Sequence, residues 1–269
     1  MRILVTGGAG YLGSEVARQA VGAGDEAVAT WLHRPAIVGL PLRLDLADAA
    51  AVTAAIANMA PEAVVHTAYR QPEEHLARDV VAATANVARA AAAAAARLVH
   101  VSTDLVFDGE REPPGRYREE DEPHPVSAYG RAKLEAEHRV RSACAAALIV
   151  RTSLLYGRPD GPQEALARRD DVVFYTDEMR SPLHVGDLAA ALLELAARDE
   201  SGILHVAGPD TVSRYQLARR LAPDRRIRGA PSPAGGGRAR NVALDSTRAS
   251  GLLRTRLRGI EEALHSLHS

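Results

Sequence analysis

The sequence predicts an α/β fold: a doubly wound parallel sheet with helices on both faces, followed by a smaller C-terminal lobe. Short apolar runs alternate with helical patterns through the first half of the chain. These runs are nearly continuous, which is typical of strands buried on both faces. A glycine-rich turn joins the first strand to the first helix. The predicted strands are Ile3–Thr6, Ala27–Trp31, Ala63–Thr67, Leu98–Ser102 and Ala147–Arg151.

The glycine-rich turn, residues 2–13 (RILVTGGAGYLG), indicates what the first domain binds. Gly7 permits a sharp turn, Gly10 lets backbone N–H groups approach a pyrophosphate, and Gly13 lets the helix lie close to the strand. The helix N-terminus directs its free N–H groups at the anion. Strand, turn and helix come in the order that a dinucleotide site requires. We expect Gly7, Gly10, Tyr11, Leu12 and Gly13 to bind the cofactor.

The second half of the chain differs in composition, since proline, glycine and arginine become frequent after about residue 152. We therefore predict a Rossmann-type dinucleotide-binding domain over residues 1–152 and a smaller substrate-binding region over 153–269. Strands at Val172–Tyr175 and Ile203–Val206, with a helix at Val185–Ala197, indicate that the chain returns to the main sheet near 172–206. Pro231–Arg240 is a loop that could be a lid over a pocket or a disordered linker.

Composition narrows the classes of function. At 269 residues and 46% hydrophobic, the chain can bury a sizeable core. Its net charge of −1, from 33 basic and 34 acidic residues, provides no general field for nucleic acid or an anionic membrane. The single cysteine, Cys144, excludes intramolecular disulfides and a cysteine metal cluster.

Location and metal binding can also be addressed from the sequence. No secretory signal opens the chain, and the apolar-looking stretch 80–101 is interrupted by polar and charged residues, so we expect a cytoplasmic protein that spans no membrane. His66, His100 and His184 lie beside predicted strands, and their spacing matches no metal site. We interpret these three histidines as core or supporting residues and predict no metal.

A second motif supplies groups for proton transfer. Tyr129 and Lys133 lie four residues apart at the start of a predicted helix, for which Ser127 is a plausible N-cap, so their side chains share one face. A phenol titrates near pH ~10, and a neighbouring ammonium favours its phenolate. Such a tyrosine can protonate a substrate oxygen as hydride reaches the carbon. Thr103, at the end of a predicted strand, could hold the same oxygen.

The end of the second strand bears on which nicotinamide cofactor binds. Selectivity for NAD requires a carboxylate there, to accept from the ribose 2′-OH. The sequence instead offers His33 and Arg34, while Asp25 and Glu26 stand at the other end of the strand. Arginine pairs well with a phosphate. NADPH is therefore favoured over NADH, the alternative being that His33 and Arg34 are solvated loop charges.

Several motifs together resemble the extended short-chain dehydrogenase/reductases. Within that family the chain is most similar to the dTDP-4-dehydrorhamnose reductases and their sugar-nucleotide-binding relatives. The matching segments are TGGAGYLG at 6–13, STDLVFDG at 102–109, YxxxK at 129–133, RTS at 151–153, RSPLHVxDLA at 180–189, and GP at 208–209 leading to SRY at 213–215. They extend over nearly the whole chain.

The resemblance implies roles for particular residues. Thr103, Tyr129 and Lys133 would form the catalytic triad, with Lys133 also bridging the nicotinamide ribose. The residues expected to contact the adenine are Asp45 and Leu46, and those expected to line the cofactor after the fourth strand are Thr67, Ala68 and Tyr69. The residues expected to contact the substrate are Thr103, Asp104 and Arg180.

The residue after Asp104 bears on the choice between carbonyl reduction and elimination. Sugar-nucleotide dehydratases of the superfamily carry Thr-Asp-Glu there, because elimination needs an extra acid/base, whereas this chain has Leu105. That difference favours carbonyl reduction. Two departures from the reductases bear on the substrate: Leu154 stands where they often place a tryptophan, and Asp79 replaces their usual asparagine.

We therefore predict an NADPH-dependent reductase that transfers hydride to the keto group of a nucleotide-linked 4-keto-6-deoxysugar. The expected partner is this small molecule. An NAD(P)-dependent sugar-nucleotide epimerase and a non-catalytic NADP-binding regulatory subunit remain open alternatives. The helices that follow Pro72 and Ser127 could pair in a homodimer.

Overall fold

The structure, a computed structural model, describes residues 1–70, 73–233 and 237–265. Its strands are β1 Arg2–Thr6, β2 Glu26–Trp31, β3 Leu40–Arg43, β4 Ala63–His66, β5 Arg97–Thr103, β6 Leu148–Thr152, β7 Leu155–Tyr156, β8 Val173–Tyr175, β9 Met179–Arg180, β10 Leu183–His184, β11 Gly202–His205, β12 Val212–Ser213 and β13 Arg228–Ala230. Its helices are α1 Tyr11–Gly22, α2 Ala49–Met59, α3 Glu73–His75, α4 Ala83–Ala93, α5 Ala128–Ala143, α6 Pro162–Ala167, α7 Val185–Ala196, α8 Arg214–Leu221, α9 Thr247–Leu252 and α10 Ile260–His265. A π-helical segment, Leu76–Ala82, joins α3 to α4, and a 3₁₀ turn, Asp104–Val106, follows β5.

Seven strands form one parallel sheet in the order β11-β6-β5-β4-β1-β2-β3. The chain starts near the middle, moves out to one edge through β2 and β3, and returns through β4, β5 and β6. This is the doubly wound arrangement, so the predicted fold class is confirmed. The three central strands are in register, with Thr6 beside His66 and His66 beside His100.

The five strands predicted for the first half are present as β1, β2, β4, β5 and β6. The predicted return to the main sheet occurs through β11, which lies beside β6. The other predicted strand, β8, pairs with β13 in a separate two-stranded sheet. The sequence did not indicate β3, because this edge strand is mostly exposed and contains Pro41, so it lacks the apolar signal of a buried strand.

The chain divides into two compact units, each made of three segments. The first comprises Met1–Ser102, Arg131–Val150 and Ala189–Leu204, and the second comprises Thr103–Gly130, Arg151–Leu188 and His205–Ser269. This division differs from a single boundary at residue 152, because 103–130 belongs to the second unit and 189–204 to the first. The predicted two-domain boundary stays a prediction.

The first unit has its core between the sheet and its helices. Leu4, Val64, Leu98 and Ile149 come from neighbouring strands and are almost fully buried with Ile56 of α2. Free Cys144 lies at the edge of the same core. Burial of large aliphatic side chains contributes about 1.5–3 kcal/mol each, which makes this layer the main source of stability in the unit.

The second unit is held by smaller clusters. Tyr156, Val212, Leu217 and Ile260 are packed together, and a separate group surrounds Phe174. Across the three described stretches of the chain, no helix is both long and apolar enough to cross a membrane. Of the loop predicted at Pro231–Arg240, residues 234–236 lie outside the described residues.

Candidate functional site

The glycine turn between β1 and α1 is built so that side chains would not fit at three of its glycines. Gly7 has φ +70°, in the left-handed region, and a Cβ there would lie 2.8 Å from the Cα of Ala68. At Gly13 a Cβ would lie 2.3 Å from the carbonyl oxygen of Gly7. The helix therefore lies directly against the turn at Gly13. Gly8, which was not singled out, is equally constrained, because its Cβ would meet that of Ala29 at 2.5 Å.

Hydrogen bonds hold the glycine turn in place, and no side chain caps the N-terminus of α1. The Gly7 N–H donates to Thr30 Oγ1 at 3.1 Å, and the Gly10 N–H donates to the Gly7 carbonyl at 2.8 Å. Gly10 is the N-cap of α1 and supplies no side-chain cap. The next residues, Tyr11 and Leu12, begin the helix. Uncapped N–H groups at a helix N-terminus suit a phosphate group.

Polar groups gather at the end of β2. His33 and Arg34 are both exposed. His33 Nε2 lies 3.5 Å from Arg70 Nη1, which also donates to Asp79 at 3.3 Å. Within the described residues, the Arg34 side chain has no hydrogen bond or ion pair. Arg34 is therefore a cation available to an incoming anion, and Arg70 is a second cation that the sequence reasoning missed.

The residues expected near the adenine lie next to this cluster in the first unit. The carboxylate of Asp45 accepts from the Ala47 N–H at 3.0 Å and pairs with Arg78. The carbonyl of Leu46 accepts from Asn86 Nδ2 at 3.0 Å. These contacts fix the loop after β3 without deciding the adenine role, which stays a prediction.

The loop after β4 carries the other predicted cofactor residues. Thr67 Oγ1 donates to the Thr6 carbonyl at 2.7 Å, and Ala68 is the residue that a Gly7 side chain would strike. Tyr69 is 50% exposed. Thr67 and Ala68 thus shape the glycine turn from the adjacent strand, whereas Tyr69 is accessible from solvent.

Helix α5 carries the Tyr-x-x-x-Lys motif. Ser127 precedes the helix, and its Oγ accepts from the Gly130 N–H at 3.0 Å, so the predicted N-cap is present. Gly130 packs against the preceding loop, since a Cβ there would lie 2.1 Å from the Leu105 carbonyl oxygen. Tyr129 is half-buried, and Lys133 follows one turn later on the same helix.

Lys133 is the only lysine among the 269 residues; every other position counted as Lys or Arg is arginine. Its side chain is buried, with 3% of the residue exposed. Nζ donates to the Val101 carbonyl at 2.7 Å and lies 3.5 Å from His100 Nε2. Burial lowers the pKa of Lys133 from 10.5 to about 8, while Glu137 opposes the shift. An ammonium can be tuned in this way and a guanidinium cannot.

The three histidines expected in the core or near it are buried. His66 lies between the hydroxyls of Thr6, at 2.6 Å from Nδ1, and Thr84, at 3.0 Å from Nε2. Its ring centroid is 5.1 Å from that of His100, with 30° between the planes. Burial and the Lys133 charge lower the pKa of His66 to about 3 and that of His100 well below 6.5, so both rings are neutral near pH 7.

In the second unit, Thr103 and Asp104 form a buried polar group. Thr103 Oγ1 donates to Asp104 Oδ1 at 3.2 Å and accepts from the Leu105 N–H at 3.2 Å. Ser153 Oγ donates to the other carboxylate oxygen at 2.6 Å. Burial raises the pKa of Asp104, and the charge of Arg180 partly offsets this. The predicted substrate residues Thr103 and Asp104 are thus held rigidly.

Arg180 differs in its surroundings from an exposed phosphate ligand. It is 4% exposed, and its guanidinium donates to the carbonyls of Ala239 at 3.2–3.3 Å and Arg240 at 3.3 Å. Its Nε lies 3.8 Å from Asp104. In this arrangement Arg180 anchors the 239–240 backbone and balances a buried carboxylate, and its predicted contact with substrate stays a prediction.

The glycine turn, the parallel sheet and the Tyr-x-x-x-Lys helix define a Rossmann-type protein of the extended short-chain dehydrogenase/reductase class. The model of the RmlD substrate binding domain family matches residues 1–267, and the chain belongs to this family.

Relatives of two kinds cover nearly all of the chain. It is 34% identical to the dTDP-4-dehydrorhamnose reductase of Mycolicibacterium smegmatis, over 98% of this chain and 84% of that protein. It is 33% identical to the methionine adenosyltransferase 2 subunit beta of Bos taurus, over 98% and 87%. Among solved structures, that of a dTDP-4-dehydrorhamnose reductase from Clostridium acetobutylicum superposes with a TM-score of 0.86 at 26% identity, covering 99% of this chain and 98% of the other.

Some residues of the site were not identified as functional candidates. Glu137 is 1% exposed, accepts from Ser102 Oγ at 2.5 Å and follows Lys133 by one helical turn. That four-residue spacing was the available signal. Arg70 and Arg78 gave no comparable signal, because the sequence does not show which loops lie beside the end of β2.

Proposed function

We propose that the chain is an NADPH-dependent reductase that transfers hydride to the keto carbon of a nucleotide-linked 4-keto-6-deoxysugar. The observation that carries the proposal is Lys133, a buried lysine one turn after Tyr129 in a chain that otherwise uses only arginine. A buried charge is costly to keep. An apolar residue would serve a purely structural role equally well, so a role in the reaction best explains the buried ammonium.

The proposed roles follow from general acid catalysis. NADPH, when bound, would supply the hydride that reduces the carbonyl carbon. Tyr129 donates its phenolic proton to the carbonyl oxygen, so that the C=O bond becomes CH–OH. The ammonium of Lys133 stabilises the phenolate that remains until solvent returns a proton. Thr103 provides a hydroxyl for the same substrate oxygen.

Residues of the first unit suit the proposed cofactor. The tight turn at Gly7 and the uncapped start of α1 can hold the pyrophosphate. Arg34, exposed and without an ion pair in the described residues, can pair with the 2′-phosphate that distinguishes NADPH from NADH. Gly10, Tyr11, Leu12 and Gly13 complete the proposed cofactor residues.

The substrate class is supported by relatives and by one residue. The relative from Mycolicibacterium smegmatis bears the name dTDP-4-dehydrorhamnose reductase. Leu105, in place of a glutamate, removes the extra acid/base that elimination would need. Asp104 and Arg180 remain proposed substrate residues.

The test is a steady-state assay with NADPH and dTDP-4-keto-6-deoxysugars. Turnover that falls about 10²–10⁴-fold in Tyr129→Phe would support the proposal. Tyr175→Phe, a change to a tyrosine of β8 outside the proposed machinery, is the matched control. Turnover that is unchanged in Tyr129→Phe would overturn the role assigned to Tyr129.

The relative from Bos taurus supports a second candidate, a non-catalytic NADP-binding subunit of another enzyme. Tight NADP binding, no turnover over a panel of keto sugars and a stable heteromeric partner would favour it. An epimerase is distinguished by NAD that stays bound through purification. We also propose a homodimer, which size-exclusion chromatography with light scattering would test.

A further inference from the structure

We propose that His100 is a positioning residue that holds the ammonium of Lys133 through the lone pair of its Nε2. Only the expected effect of His100 on turnover rests on the proposed function. The contact itself is a property of the first unit. His66 is proposed to fix the imidazole of His100 from the neighbouring strand.

The first argument is that Lys133 is the only hydrogen-bond partner of the His100 side chain in the described part of the protein. His100 is fully buried, and its Nδ1 has no hydrogen-bond partner there. Nε2 lies 3.5 Å from Lys133 Nζ. An apolar side chain would fill the same place without leaving a polar atom unpaired. The one polar contact that a histidine gains here is the contact with the ammonium.

The second argument concerns the tautomer. The ring is neutral near pH 7, so one nitrogen carries a proton and the other accepts. A proton on Nε2 would point at the positive Nζ, whereas a lone pair there accepts from it. The charge on Lys133 therefore places the proton on Nδ1. The imidazole and the Val101 carbonyl, 2.7 Å from Nζ, then hold the ammonium from two sides.

The third argument is the rigid support behind the ring. Thr6, His66 and His100 are in register on β1, β4 and β5, so their side chains share one face of the sheet. His66 is hydrogen-bonded to Thr6 and Thr84, and its ring lies 5.1 Å from that of His100 with a tilt of 30°. The ionisable groups that interact electrostatically with Lys133 include His100, His66 and, on its own helix, Glu137. Tyr129 lies one turn before Lys133 on α5.

The sole lysine makes a direct experiment feasible. In protein grown with ¹³Cε-labelled lysine, a ¹H–¹³C spectrum should contain one lysine signal, whose pH titration reports the ammonium. We expect a wild-type midpoint near 8. His100→Leu should lower it by about one unit, a tenfold change in the proton equilibrium, because the charged form loses an acceptor. His100→Gln, which keeps an acceptor oxygen, should remain closer to the wild type.

The control is His205→Leu, which removes a buried histidine of the second unit whose Nδ1 lies 3.1 Å from the Tyr117 carbonyl. It should leave the lysine midpoint unchanged. A midpoint within about 0.2 units of the wild type in folded His100→Leu would overturn the proposal, and so would a wild-type midpoint near 10.5.

Turnover is measured separately on the same proteins, which distinguishes the two proposals. The alkaline limb of the kcat profile should move with the midpoint. A shifted midpoint in a protein without turnover would support the role of His100 and refute the reductase. Normal turnover with no shift would refute the role of His100 alone.

Discussion

Replacing Lys133 with methionine should abolish turnover and remove a pH dependence from the free energy of unfolding. The pKa of the buried ammonium falls from 10.5 to about 8, a difference of roughly 2.5 units. At ~1.4 kcal/mol per unit, charging Lys133 in the native state costs about 3.5 kcal/mol relative to the unfolded chain. The side chain is buried, so solvent does not screen this cost. Methionine is also unbranched and fills the same space.

The net change at pH 7 is small, because the Val101 carbonyl and His100 Nε2 both lose their donor. Each unpaired buried acceptor costs about 1–3 kcal/mol, which offsets most of the gain from removing the charge. The pH dependence is the sharper quantity. Between pH 8 and 10.5 the native protein has released the proton and the unfolded chain has kept it, so wild-type stability rises over that window. Lys133→Met lacks this rise.

The assay is urea denaturation of both proteins at pH 7 and pH 10. The free energy of unfolding of Lys133→Met minus that of the wild type should be about 2 kcal/mol lower at pH 10 than at pH 7. Lys133→Arg is the matched control, because a guanidinium keeps its charge across the range. A difference that is equal at the two pH values would refute the claim that a buried charge at this position is costly.

Three further outcomes are expected. Burial lowers the pKa values of His66 and His205 from 6.5 to about 3. As the pH falls from 7 to 5, these histidines take up a proton in the unfolded chain and not in the native protein, so each should lower the free energy of unfolding by about 2 kcal/mol. A urea midpoint that is the same at pH 7 and pH 5 would contradict this loss of stability. Gly13→Ala should weaken NADPH binding at least ~10-fold in a fluorescence titration, since Ala at that position strikes the turn, whereas Gly22→Ala, in open space on the same helix, should bind normally and gain about 0.5–1 kcal/mol. Arg34→Ala should raise the KM for NADPH about tenfold by removing a phosphate contact, with little effect on NADH; equal changes for both cofactors would exclude a role in selectivity.

Most of the fold could be predicted from the sequence, because the strands of a parallel sheet are buried on both faces and therefore appear as apolar runs. Ala63–His66 and Leu148–Thr152 show this, being buried at every position. The edge strand Leu40–Arg43 has no such pattern, since only its hydrogen bonds to β2 make it a strand. Short pairs such as β9 with β12 likewise depend on contacts distant in sequence.

Part of the candidate site could also be predicted from the sequence, where the residues concerned are close together along the chain. Tyr129 and Lys133 lie on one helix, where spacing alone predicts a shared face. The sequence could not indicate the contact between His100 and Lys133, because the two residues are 33 positions apart along the chain. Arg180 shows the opposite case: a cation in a favourable motif proved to be buried against backbone carbonyls.

Because Lys133 is the only lysine in the sequence, it is also useful as a probe of helix α5. A protease that cuts only after lysine has one peptide bond to hydrolyse in this chain, between Lys133 and Leu134, and that bond lies within α5. Because helical, buried backbone does not fit a protease cleft, cutting requires the helix to open first. The rate at which the chain is split into two fragments, measured with and without a dinucleotide, therefore reports how firmly the ligand holds this one helix shut.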